Sequence, residues 1–452
     1  MACIFGLTSL LGCKKQQEEH SSAKVGFTQH IKPIIDVKCA RCHTEGGQGP
    51  FSLDSFEQLQ KHAQASLTSI KERRMPPWPA DRECREYLGD YSLTKDEIKL
   101  FEEWVAAGAP EEAEAEVQPP PHFETTALTR VDLEIKNSEP YVPSPFPEDT
   151  RCFVIDWPHD QVKYITGMDV IPEARQLVHH SSVFLTKPEN REFYRELDRK
   201  DGSPTDGYPC SATMGVGKSS ALWIGGWLPG LDGFDFAFGA GIEVQPGASV
   251  ILQVHYHLDE EPEDLHLHGQ TIEPDQTAIR FKLEDQVDRL GTLVTMVNPD
   301  WMVEEEMDIP AGEPNVVHDF EGEIDVIPSL IGQDFKLEGD RFEILSLNMH
   351  GHSLMTGARM KVKRANGEEE CLVDIPKFQF DYQLNYIFKE AASINRGDKI
   401  FMECRWDNSP ANQPVVNGSQ IEPMDVNWGD GARQEMCIGL LFVSESQEEG
   451  QQ

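Results

Sequence analysis

The chain has 452 residues, a formal net charge of −38, 39% hydrophobic residues and ten cysteines. That apolar content supports packed cores and excludes wholesale disorder, and the length corresponds to about three domains. The negative balance excludes nucleic acid and anionic membrane surfaces as partners, because phosphate is repelled. No apolar run reaches the roughly 18 residues of a spanning helix.

Residues 1–12 are largely apolar and end at Leu10-Leu11-Gly12-Cys13, followed by Lys14 and Lys15. This resembles a bacterial lipobox, in which Cys13 becomes the lipidated first residue. Residues 1–12 are then a lipoprotein signal peptide and 13–24 a polar tether. Lipidation at Cys13 implies anchoring to a membrane of the bacterial cell envelope, on its periplasmic or extracellular face. Export also permits disulfides.

Residues 25–108 read as compact and helical. Phe27 to Val37 has helical periodicity that Pro33 bends or shortens. Leu93 to Ala107 predicts a helix with Thr94 as N-cap, Glu97 completing a capping box, and Gly108 as the stop. Its apolar face is Ile98, Phe101, Trp104 and Val105.

Between these helices stands Cys39-Ala40-Arg41-Cys42-His43, a C-x-x-C-H motif. Two thiols at this spacing add to the two vinyl groups of one haem, and the adjacent His43 reaches the iron as proximal ligand. Half of a zinc site is the alternative, with His30, His62 and Cys84 as the remaining nearby ligands. Met75-Pro76-Pro77-Trp78 begins 32 residues after His43. The prolines fix Met75 in a loop, and its thioether suits the sixth position of an electron-transfer haem. The arrangement resembles a small class I cytochrome c over residues 25–108. The resemblance implies one covalent haem c held by Cys39, Cys42, His43 and Met75. A haem sensor or peroxidase needs an open iron, which Met75 argues against.

Residues 109–135 read as an acidic, Pro-rich linker, with acid from Glu111 and then Pro119, Pro120 and Pro121. Beyond it, short apolar or alternating segments recur between Gly, Pro, Asn and Asp. Cys152 to Trp157, Val250 to His257, Ala278 to Leu283, Phe342 to Asn348, Lys399 to Cys404 and Cys437 to Val443 are examples. The pattern predicts two β-sandwiches, over 136–287 and 288–446, with 447–452 as a tail.

The β region carries clustered metal-type side chains. His179 and His180 are adjacent, His255 lies in Gln253-Val254-His255-Tyr256-His257, and Met349-His350-Gly351-His352 follows Asn348. Met436 lies in Gln434-Glu435-Met436-Cys437. Residues two apart on a strand share a face, so His350 and His352 can grip one metal. Adjacent His179 and His180 point oppositely in a regular strand, and joint binding requires a bulge or strand end. Imidazoles with a thioether suit copper, and the sulfur favours Cu(I). His257 reads as a neighbour of the ligand set or a surface residue. His266 and His268 read as solvated, and His318 as a strand residue.

These segments, in this order, resemble the type II copper monooxygenases typified by peptidylglycine α-hydroxylating monooxygenase and dopamine β-monooxygenase. The resemblance spans about 136–446. It implies two jelly-roll-like domains, each with one copper facing a shared cleft. One copper is then held by His179, His180 and His255, the other by His350, His352 and Met436, where O2 reacts. It also implies a Cys404–Cys437 disulfide, with Cys152 at a family position and Cys210 as its plausible partner; Cys84 and Cys371 receive none. The peptide-processing members hold a carboxylate with an Arg and a Tyr where this chain has Asn348 and Leu440, so a glycine-extended peptide is not the expected substrate.

The expected fold class is therefore multidomain: a small all-α cytochrome c domain followed by two all-β jelly-roll-like sandwich domains. The expected function is an oxidoreductase that hydroxylates a C–H bond of a small organic substrate with O2. Electrons come from an ascorbate-like donor or a periplasmic redox protein, by way of the fused haem. The alternative is a non-catalytic electron-transfer or copper-binding lipoprotein.

Overall fold

The computed structural model describes residues 24–45, 49–113, 116–121, 126–144, 148–200, 207–210, 221–227, 231, 233–257, 272–304, 306–331, 333, 337–380, 382–416, 419–429 and 433–446. The lipobox Cys13, the signal peptide, His266, His268 and the tail lie outside the described residues, as does the side chain of His257. Contacts divide the chain into two compact units. One is Met1–Pro76 with Leu93–Pro121; the other is Pro77–Ser92 with His122–Gln452.

The described elements of the smaller unit are helical. A π-helical turn, Phe27–Ile31, runs into α1 (Lys32–Lys38), with Pro33 in its first turn. There the missing N–H costs nothing. Helix α2 (Phe56–Lys71) was not legible beforehand; Ser55 caps it by accepting from the Gln58 N–H, and it buries Leu59, Ala63, Leu67 and Ile70. Helix α3 (Lys95–Ala106) has the expected Thr94–Glu97 capping box, and Gly108 follows at φ +87°. Phe101 and Trp104 pack with Ile31, Ile35 and Leu59 into one core.

Two boundaries differ from the expected 25–108 domain and 109–135 linker. The acidic segment packs back on the smaller unit: the N–H groups of Phe27 and Thr28 donate to the carbonyls of Pro110 and Glu111, and Trp104 Nε1 donates to Pro110 O at 2.8 Å. Residues 77–92 leave that unit for the larger one. Cys84 is disulfide-bonded to Cys371, Tyr87 Oη donates to Leu372 O at 2.9 Å, and Trp78 packs edge-on against Tyr386 with centroids 5.5 Å apart.

The larger unit is built from β1 (Leu133–Lys136), β2 (Glu148–Asp156), β3 (Lys163–Ile171), β4 (Val178–Leu185), β5 (Tyr208–Pro209), β6 (Leu222–Trp227), β7 (Phe234–Asp235), β8 (Ala240–Val244), β9 (Ser249–His257) and β10 (Ala278–Glu284). It continues with β11 (Arg289–Met296), β12 (Val316–Glu323), β13 (Arg341–His350), β14 (Met355–Lys363), β15 (Glu369–Ile375), β16 (Tyr386–Asn395), β17 (Lys399–Trp406), β18 (Val415–Val416), β19 (Ser419–Gln420) and β20 (Ile438–Glu445). A five-stranded sheet, β5-β2-β9-β4-β6, and a four-stranded sheet, β12-β17-β14-β15, are joined by a nine-stranded one ordered β1-β10-β3-β8-β11-β20-β13-β16, with β7 beside β3.

The two β halves are therefore not separate sandwiches. Strands β8 and β11 pair in parallel, Arg289 opposite Ala240 and Leu290 opposite Gly241, so one sheet runs through both. The period-2 alternation of β20 serves both cores. Leu441 and Val443 join Met360, Met402 and Trp406, whereas Phe442 joins Phe236, Val183 and Leu252. Among the described residues no helix is long and apolar enough to cross a membrane.

Helix α4 (Arg191–Lys200) leans on β2 and β5. It carries Asp198, whose half-buried carboxyl is pushed up to about 6 by burial and whose Oδ1 has no partner. A raised folded-state value means that Asp198 costs stability once pH rises past about 4–6, because the folded state favours the protonated form. Asp198→Asn is expected to raise the melting temperature at pH 7.5, by roughly 1 kcal/mol of stability after discounting for the half-exposed site. The difference should vanish at pH 4, and thermal melts at the two pH values check it.

Candidate metal centres

His179 and His180 open β4, and His255 lies beside them on β9. Opposite β9 the register of β4 shifts between Val178 and His180, so that Val178 faces Tyr256 and His180 faces His255. That shift is the irregularity adjacent ligands require, since it turns both rings to one side. Ligand nitrogens of His179, His180 and His255 all lie within 4.8 Å of one another. Burial first, and then the imidazoles of His255, His179, His350 and His352, hold His180 well below the usual histidine range. It is neutral at pH 7 and its nitrogen lone pair is available to a metal.

His350 ends β13 and His352 follows one glycine later, with ring centroids 5.4 Å apart. Gly351 sits in a tight spot: a Cβ would displace the end of the Met355 side chain and stand 3.0 Å from Met436 O. The missing side chain brings the Met436 backbone against the two histidines. Each imidazole has one nitrogen occupied: His350 Nδ1 meets Gln383 Oε1 at 2.7 Å, and His352 Nδ1 meets Gln434 O at 2.7 Å. Both therefore present Nε2 as the free ligand atom. Burial, reinforced by His352 and opposed by the Gln383 hydrogen bond, pushes His350 down to about 4.

Sequence reasoning missed three supporting residues. Gln383 accepts from His350 Nδ1 and donates from Nε2 to the carbonyls of Gly351 and Phe380, each at 3.0 Å. Glu435 is 1% exposed, and its carboxylate accepts from the His352 N–H (2.9 Å), the Leu354 N–H (2.7 Å) and Trp406 Nε1 (3.0 Å). Burial raises its pKa while these donors and His352 oppose the shift. Phe380 lies between the two groups, its ring centroid 5.9 Å from that of His179 and 6.5 Å from that of His352. Only Glu435 had a sequence signal, as the acid beside Met436. Gln383→Leu should weaken copper binding at His350/His352 about 10–100-fold, the usual effect of losing a ligand's orienting partner. Competitive titration against a chelator measures it, and the three-His group should titrate unchanged.

Both groups open on one cleft of about 1410 Å³, lined by His179, His180, His255, His350, His352 and Met436. Disulfides join Cys404 to Cys437, one residue from Met436, and Cys152 to Cys210. His318 lies on β12, bonded through Nε2 to Asp308 O. Among the described cysteines Cys39 and Cys42 are in none of the disulfides. His43 Nδ1 meets Phe51 O at 2.9 Å, which leaves its Nε2, and a Cβ on Gly49 would strike the same ring. Met75 is half-buried in the turn after α2, its N–H on Ser69 O.

Residues 306–443 match the family model for the copper type II ascorbate-dependent monooxygenase, C-terminal domain. That range holds His350, His352, Met436, Cys404 and Cys437; the three-His group lies outside it. No curated protein matches the chain. The major capsid protein P2 from bacteriophage PM2 aligns at 8% identity over 70% of this chain and 99% of that one, with a TM-score of 0.25. The infectious bursal disease virus VP2 subviral particle aligns at 12% identity over 72% and 74%, with a TM-score of 0.15. A mutant of Bacillus subtilis oxalate decarboxylase OxdC aligns at 9% identity over 67% and 86%, with a TM-score of 0.12. Scores this low carry no argument about this chain.

Proposed function

We propose that the chain is a copper-dependent monooxygenase that hydroxylates a C–H bond of a small organic substrate with O2, drawing electrons through a c-type haem on its smaller unit. The observation that carries the reading is one cleft lined by a close group of three imidazoles, His179, His180 and His255, and also by His350, His352 and Met436, which we assign to a second copper. The match of residues 306–443 supports a copper monooxygenase. Nitrogen donors with a soft sulfur fit copper; three imidazoles alone also suit zinc, so the thioether is the donor that favours copper, while an oxygen-loving cation would call for carboxylates.

Copper held at these groups supplies one-electron redox chemistry, with one oxygen atom entering the product and the other leaving as water. The chain's own part is positional. Gln383 and the Gln434 carbonyl fix the tautomer of His350 and His352, Gly351 admits the Met436 backbone, and Glu435 ties the His352 and Leu354 amides to Trp406. The shift in β4 turns His179 and His180 together toward His255.

Covalent haem fits the smaller unit. Cys39 and Cys42 are in none of the disulfides, Cys42 precedes His43 directly, His43 keeps Nε2 beyond its Nδ1 contact with Phe51 O, and the half-buried Met75 offers a thioether. The resulting haem is the electron carrier, fed by an ascorbate-like or periplasmic donor. Export and lipid anchoring through Cys13 belong to the same proposal. Three disulfides support an oxidising compartment.

The test uses protein matured in a periplasm. Two coppers and one haem per chain are expected, with the haem retained through acidified organic solvent. O2 uptake should depend on copper and yield a hydroxylated product. Copper binding without O2 uptake under any donor would reduce the protein to an electron-transfer or copper-binding lipoprotein, and extractable haem would remove the attachment claim.

A further inference from the structure

We infer that the substrate admitted by this cleft is a neutral molecule with an apolar body, and that carboxylates are refused. The inference rests on the copper reading for the word substrate and on the cleft alone for its chemistry.

The floor of the cleft is the face of the nine-stranded sheet that β20 and β13 share. Along β20, Ile438, Leu440 and Phe442 line it, and along β13, Ser346, Asn348 and His350 do. The register sets His350 opposite Ile438, Asn348 opposite Leu440 and Ser346 opposite Phe442. From His350 the floor thus runs apolar for four residues of β20, about 14 Å at ~3.4 Å per residue. Trp223, Leu293, Ile331 and Phe380 add apolar side chains that are only half-buried. Such surface is left for a ligand to cover, and covering it is favourable in proportion to area.

A carboxylate is held most strongly by N–H donors aimed at it, above all from arginine. The two amides nearest His350 have none to spare. Asn348 Nδ2 donates to the carbonyls of Gln383 (2.7 Å) and Leu384 (2.9 Å), and Gln383 Nε2 donates to those of Gly351 and Phe380. Asn348 is left with an oxygen, which repels a carboxylate. Among the described lining residues the lysines and arginines are Lys187, beyond the far end of β4 from His180, and Arg433. Arg433 is exposed and donates to Glu422 O at 3.2 Å. A carboxylate on the floor would lose water and meet no cation there, the Ser346 hydroxyl being its one donor on β13 and β20.

The experiment uses copper-free protein, so that no turnover is involved. 1-Decanol and decanoate at pH 8 differ in the group under test. Equilibrium dialysis should show saturable decanol binding, with decanoate at least about tenfold weaker. Leu293→Glu should weaken decanol binding at least about tenfold, and Leu440→Arg should bring decanoate level with decanol. Circular dichroism checks that each variant folds; Leu293 is half-exposed and keeps the test available if Leu440→Arg does not fold. Decanoate binding as tightly as decanol to the wild-type protein overturns the inference, and its loss in Arg433→Gln would then name the recognising group. Decanol binding indifferent to Leu293→Glu also overturns it. Protein that binds decanol but consumes no O2 with copper refutes the catalytic reading alone. Protein that consumes O2 with copper but prefers decanoate refutes this inference alone.

Discussion

Met436→Ile is expected to fold, to keep one copper and to lose O2 chemistry. The side chain is 4% exposed beside the buried Glu435 and the Cys404–Cys437 bridge, so an apolar replacement of similar volume keeps the packing at a cost of about 1 kcal/mol. The thioether is gone, and with it the soft donor that favours Cu(I). Copper per chain should fall from two to one, and copper-dependent O2 uptake by more than about a hundredfold, the upper range for an orienting partner being the floor for a ligand. His179, His180 and His255 stand on β4 and β9 and should titrate as before. Loss of both coppers would mean that the two groups do not bind independently, and the two-centre assignment would fall.

Cys84→Ser should cost the larger unit about 2–5 kcal/mol, the typical worth of a native disulfide closing a long loop. The bridge joins positions 287 apart and fastens residues 77–92 to β15. What remains includes the Trp78, Tyr87, Tyr91 and Tyr386 packing, the ion pair of Arg85 with Glu370 at 2.8 Å, the Tyr87 Oη bond to Leu372 O and backbone bonds such as Asp81 N–H to Asp374 O. Chemical denaturation gives the loss, and limited proteolysis should show new cleavage between 77 and 92. Cys371→Ser should match it, since both remove the same bond; a neutral result in either would show that the aromatic packing suffices.

The β region was legible because its chemistry is local in sequence. A period-2 pattern located the strands, and the adjacency of His179 and His180 demanded an irregularity that the β4 register supplies. Cys404 and Cys437 were paired from the family resemblance, and Cys152 with Cys210 from a family position. Gln383 was not legible, because its role comes from a loop 33 residues away from His350 and nothing in Asp381-Tyr382-Gln383 marks a metal neighbour. Cys84 and Cys371 lacked a pairing for the same reason: their contact is tertiary. The acidic run after residue 110 looked like a linker because charge was visible and its backbone bonds to residues 27 and 28 were not. Helix α2 escaped because its buried residues are interleaved with Glu, Gln and Lys, while the Ser55 cap is a single weak signal. The sheet shared by both halves rests on two residue pairs between β8 and β11, which no periodicity announces.

The Cys84–Cys371 bridge also dictates an order of events during synthesis. As the chain emerges from its N-terminus, Cys39, Cys42 and Cys84 appear together, and the native partner of Cys84 arrives 287 positions later. At translation speeds of about 5–20 residues per second, that is a wait of tens of seconds. Throughout it, Cys84 shares the growing chain with Cys39 and Cys42, which belong to none of the three disulfides, and later with Cys152 and Cys210. One competing product is Cys84 bonded to Cys39 or Cys42, which consumes a motif thiol and strands Cys371. The native connectivity therefore depends on kinetics: either Cys39 and Cys42 are occupied early, or a disulfide isomerase reopens the wrong bond once Cys371 has been made.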